Sequence, residues 1–301
     1  MNRRNFICTG ALLFNPYLRA QKSTHESFDE LIVLTTNDVH SQIDAFSAQD
    51  PQFPNMGGFA KRAFAISQIR KQMEHILVLD SGDVFQGTPY FNFFKGELEY
   101  KLMRNMGYDA GTLGNHDFDL GLENLKLQLP HAAFPMVCSN YRFEGTVLED
   151  HPQIRKYSIH SKGPFRIGIY GLGIRLNGLL PDTISSAVTY EDPVACAQTM
   201  ETYLAETEAC NLIICLSHLG YSYADARISD CVLAQHLKHT HWIAGGHTHT
   251  FLEDGIQVLN ASHRPILITQ QGWGGAWLGA TRFKLTKSGK NGSFIHQKIT
   301  L

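Results

Sequence analysis

Leu31-Ile32-Val33-Leu34-Thr35-Thr36-Asn37-Asp38-Val39-His40 joins an apolar run to a polar one without a break. Its first four residues are apolar without alternation, the pattern of a strand buried on both faces. The run breaks at Thr36 into a polar loop carrying a carboxylate and an imidazole, Asp38 and His40. A fully buried strand that ends in such a loop belongs to an α/β sheet, where chemistry gathers at strand ends.

The same figure recurs along the chain. An apolar strand over His75 to Leu79 ends at Asp80-Ser81-Gly82-Asp83. Ala110 to Leu113 leads into Gly114-Asn115-His116-Asp117-Phe118-Asp119. Leu212 to Leu216 ends at Ser217-His218, and Trp242 to Ala244 leads into Gly245-Gly246-His247-Thr248-His249. Helical patterns lie between them. Gly57 to Gln72 sets Phe59, Ala63, Ile66 and Ile69 on one side. Glu97 to Met106 is stopped by Gly107, and Gly121 to Leu129 is ended by Pro130. Asp192 caps a helix from Pro193 to about Cys210, and another runs from Ala226 to Lys238. Further strands are expected over Phe134 to Val137, Gln153 to Ile159, Phe165 to Tyr170, Pro265 to Gln271 and Ala276 to Leu285. Strands and helices alternate early and strands dominate late. The fold class is therefore α/β, a mixed sandwich of two packed β-sheets flanked by helices. No repeat or linker divides the chain, so residues 21–301 read as one domain with a core over 31–285.

Composition bounds the function. The 301 residues are 43% hydrophobic, enough for a large core. The formal net charge of −2 gives no basic field, so nucleic acid is not an expected partner. Asn2-Arg3-Arg4-Asn5-Phe6-Ile7 opens an apolar segment to Leu13, and Ala20 precedes Gln21. Residues 1–20 read as an export signal of twin-arginine type, which implies a periplasmic location. The apolar segment is too short to cross a bilayer, and no later run reaches the ~18 apolar residues of a transmembrane anchor. The six cysteines show no C-x-x-C spacing, and Cys215 reads as a core residue.

Five strand-end loops carry Asp38 and His40, Asp83, Asn115 and His116, His218, and His247 and His249. Carboxylate, amide oxygen and imidazole without thiolate suit zinc, manganese or iron. Asp38, His40, Asp83, Asn115, His218, His247 and His249 exceed the ligand set of one tetrahedral metal. With one bridging carboxylate they give four contacts to each of two divalent metal ions. Two aspartates against two such ions leave a site of net positive charge that suits a phosphate, with a bridging water activated as nucleophile.

Asp38-x-His40, Gly82-Asp83, Gly114-Asn115-His116, Ser217-His218 and Gly246-His247-x-His249 together resemble the motif set of the calcineurin-like metallophosphoesterases. Within them the chain is similar to the N-terminal catalytic domain of bacterial 5′-nucleotidases and UDP-sugar hydrolases. That resemblance implies a four-layer sandwich and a dinuclear, metal-dependent phosphoesterase acting on phosphate esters, nucleotides or nucleotide sugars among them. It implies Asp38, His40, Asp83 and His249 around one metal, and Asp83, Asn115, His218 and His247 around the other. It gives His116 a catalytic role at the leaving oxygen, oriented by Asp119, with Asp117 as the alternative partner. Thr35 stands where the family often has His, and Asp117 where this branch often has Glu. On this resemblance the family's C-terminal, substrate-binding domain is not expected within these 301 residues. That leaves a smaller phosphoester as substrate, binding through Trp273 or through Tyr90, Phe91, Phe93 and Phe94, or a separately encoded C-terminal domain as partner. Core packing is the expected role of those aromatics. Two other readings remain at this point: a metal-binding subunit whose role is to bind such a partner, and a hydrolase of a sulfur-centred ester.

Overall fold

A computed structural model describes residues 28–286 and 293–301. The export signal expected over residues 1–20 lies outside them. In chain order the first half forms β1 (Phe28–Thr36), α1 (Phe59–Arg70), β2 (His75–Asp80), α2 (Pro89–Phe94), α3 (Glu97–Met106), β3 (Ala110–Gly111), α4 (Gly121–Ala132), β4 (Met136–Val137), β5 (Tyr141–Arg142) and β6 (Ile154–Arg155). The second half forms β7 (Tyr157–Lys162), β8 (Phe165–Gly173), α5 (Asp182–Ser185), β9 (Thr189–Tyr190), α6 (Pro193–Thr202), β10 (Leu212–His218), α7 (Asp230–His236), β11 (Trp242–Ala244), β12 (Ile256–Leu259), β13 (Pro265–Thr269), β14 (Trp277–Thr286) and β15 (Ser293–Thr300).

Two mixed sheets carry the molecule. The first has seven strands in the order β15-β14-β1-β2-β3-β4-β6, parallel from β1 to β6 and antiparallel at the β14 and β15 edge. The second has six in the order β12-β13-β11-β10-β8-β7, with a parallel centre and an antiparallel strand at each edge. Side chains alternate across each strand, and both faces are buried. Leu31 and Val33 of β1 pack between the sheets with Leu79, Ile169, Ile214, Leu216 and Trp242. Ile32 and Leu34 face the other way, onto the core shared with α1, α3 and α4. In the second sheet Ile213, Cys215 and Ile243 face outward with Leu233, Ala234 and Ala197 of α7 and α6. The result is helix, sheet, sheet, helix. The four layers enclose three apolar seams, and the parallel strands deliver their C-terminal ends to one rim.

Four local expectations shift, each for a physical reason. Pro130 lies inside α4, which runs on to Ala132; one proline removes a single i→i−4 bond, and buried Leu129 and Ala132 hold the last turn. The helix after Asp192 changes to a π-helical turn at Tyr203–Thr207, while its cap forms as expected, Ala195 N–H donating to Asp192 Oδ1 at 2.8 Å. The next helix begins at Asp230 rather than Ala226, because Asp225 Oδ1 accepts from Arg227 N–H and holds a turn there. Finally, the strand expected over Gln153 to Ile159 is two strands. β6 pairs with β4 in the first sheet and β7 with β8 in the second, so the chain changes sheets at Lys156.

Between the sheets, Ile214→Ala should cost about 2–5 kcal/mol of unfolding free energy through the cavity it leaves. Asp192→Ala should cost about 1 kcal/mol by removing one cap. Urea denaturation followed by circular dichroism measures both; equal losses would contradict this layering.

Candidate metal centre

The rim loops are joined to one another by their own backbone before any side chain acts. Asp38 N–H donates to the Gly82 carbonyl at 2.9 Å, His40 N–H to Asp83 at 3.1 Å and Ser41 N–H to Val84 at 2.9 Å. The loop after β11 joins them through His247 N–H, 3.0 Å from both oxygens of Asp38. Ser81 Oγ donates to the Ala244 carbonyl at 2.8 Å and closes the two sheets on each other. These contacts force unusual backbone. Asp38, His40, Asp83, His247 and His249 all have φ between 50° and 74°, a region that residues with a Cβ seldom occupy. Such outliers persist only where surroundings over-determine them, and they gather at functional sites.

All seven ligand candidates from the sequence meet at this rim. Asp38, His40 and His249 offer ligand atoms within 4.8 Å of one another, and so do Asp83, His218 and His247. His40 Nε2 and His249 Nε2 face each other at 3.0 Å, with Asp38 Oδ1 3.5 Å from the latter. The other His40 nitrogen, Nδ1, is 3.3 Å from the Phe85 carbonyl, a partner that makes it the donor and turns the Nε2 lone pair inward. His218 is set the same way, Nδ1 at 2.7 Å from the Ser81 carbonyl and Nε2 at 3.0 Å from Asp83 Oδ2. Asn115 Oδ1 completes the second group, 2.9 Å from His247 Nδ1. Two inward-facing ring nitrogens and two buried carboxylates converging on shared points fit divalent metal ions, with the proton on His218 Nε2 displaced when a metal binds.

Charge agrees. Burial lowers the pKa of His40 and takes that of His247 down to about 4, so both present neutral imidazoles, the form that ligates. Burial also works against charge on His218, but the carboxylates of Asp83 and Asp38 prevail and push it up to about 10. Asp83 is held well below the usual carboxylate range; its burial opposes this, and His218 and His40 outweigh it. The pocket calls for positive charge.

The 115–119 turn divides its work among four side chains. His116 Nδ1 lies 2.9 Å from Asp119 Oδ2, a bond that raises the His116 pKa, while burial opposes it. His116 N–H donates to Asp83 Oδ1 at 2.7 Å. Asp117 turns the other way. It is buried and accepts from four backbone N–H groups: Gly114 at 2.8 Å, Asp83 at 3.0 Å, Val84 at 3.1 Å and Phe85 at 3.2 Å. It thereby clamps the Asp83 loop to the Asn115 loop. Gly114 permits the approach, since a Cβ there would lie 2.2 Å from Asp83 Oδ1.

Sequence reasoning missed this clamp and two supporting carboxylates. Asp80 accepts from Thr36 Oγ1 at 2.6 Å and Gly82 N–H at 2.9 Å, and burial pushes its pKa up to about 7. Asp230 accepts from Ser217 Oγ, and burial pushes it up to about 8. A polar residue at a strand end or a helix start was the only signal for either. Of the aromatics, Phe91 is core, Phe93 and Phe94 are exposed, and Trp273 stacks on His249.

Comparison with known proteins agrees with this geometry. The calcineurin-like phosphoesterase family profile matches residues 31–251. The snake venom 5′-nucleotidase of Crotalus adamanteus is 37% identical over 231 residues, 75% of this chain and 38% of that protein. The 5′-nucleotidase of Bos taurus is 33% identical over 249 residues, 80% of this chain and 42% of that protein. The solved structure of a 5′-nucleotidase precursor from Thermus thermophilus is similar with a TM-score of 0.79 at 28% identity, covering 90% of this chain and 54% of that one. The chain thus spans about two fifths to about half the length of these relatives.

Asp117→Ala should strand four buried donors, at about 1–3 kcal/mol each before relaxation. Thermal unfolding together with metal content after gel filtration tests the clamp. An unchanged melting temperature with unchanged metal would refute it.

Proposed function

The chain belongs to the calcineurin-like phosphoesterase family, a family of phosphate ester hydrolases, and from that premise we propose that it is a two-metal phosphoesterase of the 5′-nucleotide class. The observation that carries this reading is the pair of ligand groups set side by side. Asp83 Oδ2 is 3.0 Å from His218 Nε2 and 4.0 Å from His40 Nε2, so one carboxylate reaches both. The 5′-nucleotidase relatives support the substrate class.

In this reading Asp38, His40, Asp83 and His249 hold one divalent metal ion, and Asp83, Asn115, His218 and His247 hold the second. Such a pair, when bound, supplies an activated water and offsets the charge of the phosphate. The protein's own contribution at the leaving group is His116. Its Nδ1 is engaged by Asp119, its side chain is 38% exposed, and its Nε2 has no hydrogen-bond partner among the described residues, so Nε2 can meet substrate. The carboxylate favours the protonated ring, which donates a proton to the departing oxygen. Asp119 fixes tautomer and direction. Among the described residues no helix is long and apolar enough to cross a membrane.

His116→Ala should lower kcat on a 5′-nucleotide by about 10²–10⁴-fold while two metals stay bound. His218→Ala and Asn115→Ala should lose metal and activity together. Steady-state kinetics with elemental analysis on the same preparations separates the roles. Hydrolysis that survives exhaustive chelation, or a His116→Ala variant as fast as wild type, contradicts the proposal.

A further inference from the structure

The two ligand groups are supported unequally. In the second, Asp83 and His218 are 1% and 0% exposed, and His218 is braced from behind by the Ser81 carbonyl. In the first, His40 is braced by the Phe85 carbonyl. His249 has no such brace: 40% of its side-chain surface is exposed, and its Nδ1 finds no hydrogen-bond partner among the described residues.

His40, its fellow ligand, meets the ring edge-on with centroids 5.0 Å apart, and one side chain outside the ligand set lies along its face. Trp273 lies nearly parallel to His249, with ring centroids 6.0 Å apart and planes 19° apart. Trp273 is fixed in turn. Phe46 and Phe53 meet it edge-on at 5.4 and 5.9 Å. Its flanking backbone is tied to Asp38 and its neighbour: Gly274 N–H donates to the Asp38 carbonyl at 2.7 Å, and Asn37 Nδ2 donates to the Gly272 carbonyl at 2.8 Å. Gly274, at φ 64°, lets the aromatic wall close, since a Cβ there would lie 2.4 Å from the Phe46 ring. The same short loop therefore grips two ligands of one metal position, Asp38 through backbone and His249 through the indole face.

We infer that Trp273 is the positioning residue for His249, an aromatic plate that takes the place of the carbonyl brace and sets the affinity of the first metal position without touching the second. The inference rests on the two-metal reading above. Metal-binding histidines are normally oriented by a hydrogen bond to their other nitrogen, and loss of that orientation weakens the site. A stacked aromatic pair is a weaker orienting device than a charged or carbonyl partner, and its removal weakens binding by about 2- to 10-fold. The first position is accordingly the weaker and faster-exchanging of the two.

The test is titration of the chelator-stripped full chain with Mn²⁺ or Zn²⁺ alone, read by tryptophan fluorescence and by metal retained after dialysis. The wild type should bind two equivalents, and its fluorescence should change with the weaker one. Trp273→Leu should keep the tighter equivalent at wild-type affinity and bind the other about 2- to 10-fold more weakly. Trp273→Phe should restore the weaker affinity while losing the fluorescence change, since Trp242 and Trp277 remain as internal references. Equal affinity of Trp273→Leu and wild type for both equivalents overturns the inference, as does parallel weakening of both. A wild-type chain that holds one equivalent overturns the two-metal reading and this inference together.

Discussion

The rim is built to bury one carboxylate, that of Asp83. It is 1% exposed, and a buried ionised carboxylate is costly unless it is paired and hydrogen-bonded. It is met from three strand ends at once. His218 Nε2 from β10 approaches to 3.0 Å, His40 Nε2 after β1 stands at 4.0 Å, and His116 N–H after β3 donates at 2.7 Å. Its own backbone is held by Asp117. Remove any of these elements and the charge is left partly unmet. The parallel centres of both sheets are what bring them to one place.

The site also stores strain. Asp38, His40, Asp83, His247 and His249 hold left-handed backbone, at about 1–3 kcal/mol each. The three apolar seams offset that cost, with fully buried leucine, isoleucine and valine contributing about 1.5–3 kcal/mol each. Leu31 and Val33 anchor β1 from the inter-sheet side and Ile32 and Leu34 from the helix side. The strand end that carries Asp38 therefore cannot yield to relieve its own backbone. A rigid layered core and a strained polar rim are two parts of one arrangement.

Much of this was legible in the sequence, because it is written locally. The unalternating run of β1 and the matching runs of β2, β10 and β11 fix strands buried on both faces, and each runs directly into its candidate ligands. Seven ligand candidates in five loops identified the rim, although each loop alone reads as an ordinary turn. What stayed hidden depends on contacts across the chain. Asp117 acts on Val84 and Phe85, more than thirty positions away, and has the sequence signature of a turn residue. Trp273 lies in a glycine-rich loop and stacks on a histidine twenty-four positions earlier, so no periodicity links the two. The change of sheets at Lys156 is equally silent, since β6 and β7 are each plausible strands and only their partners differ. The early start expected for α7 has a smaller cause: the Asp225 turn competes with helix over residues whose composition permits both.

In the proposed two-metal site Asp83 is the shared ligand. Anomalous diffraction from crystals of the metal-reconstituted full chain tests it most directly. Two peaks about 3.5–4 Å apart are expected, both within bonding distance of Asp83, one also against Asp38, His40 and His249 and the other against Asn115, His218 and His247. A single peak, or two peaks of which only one contacts Asp83, would contradict it.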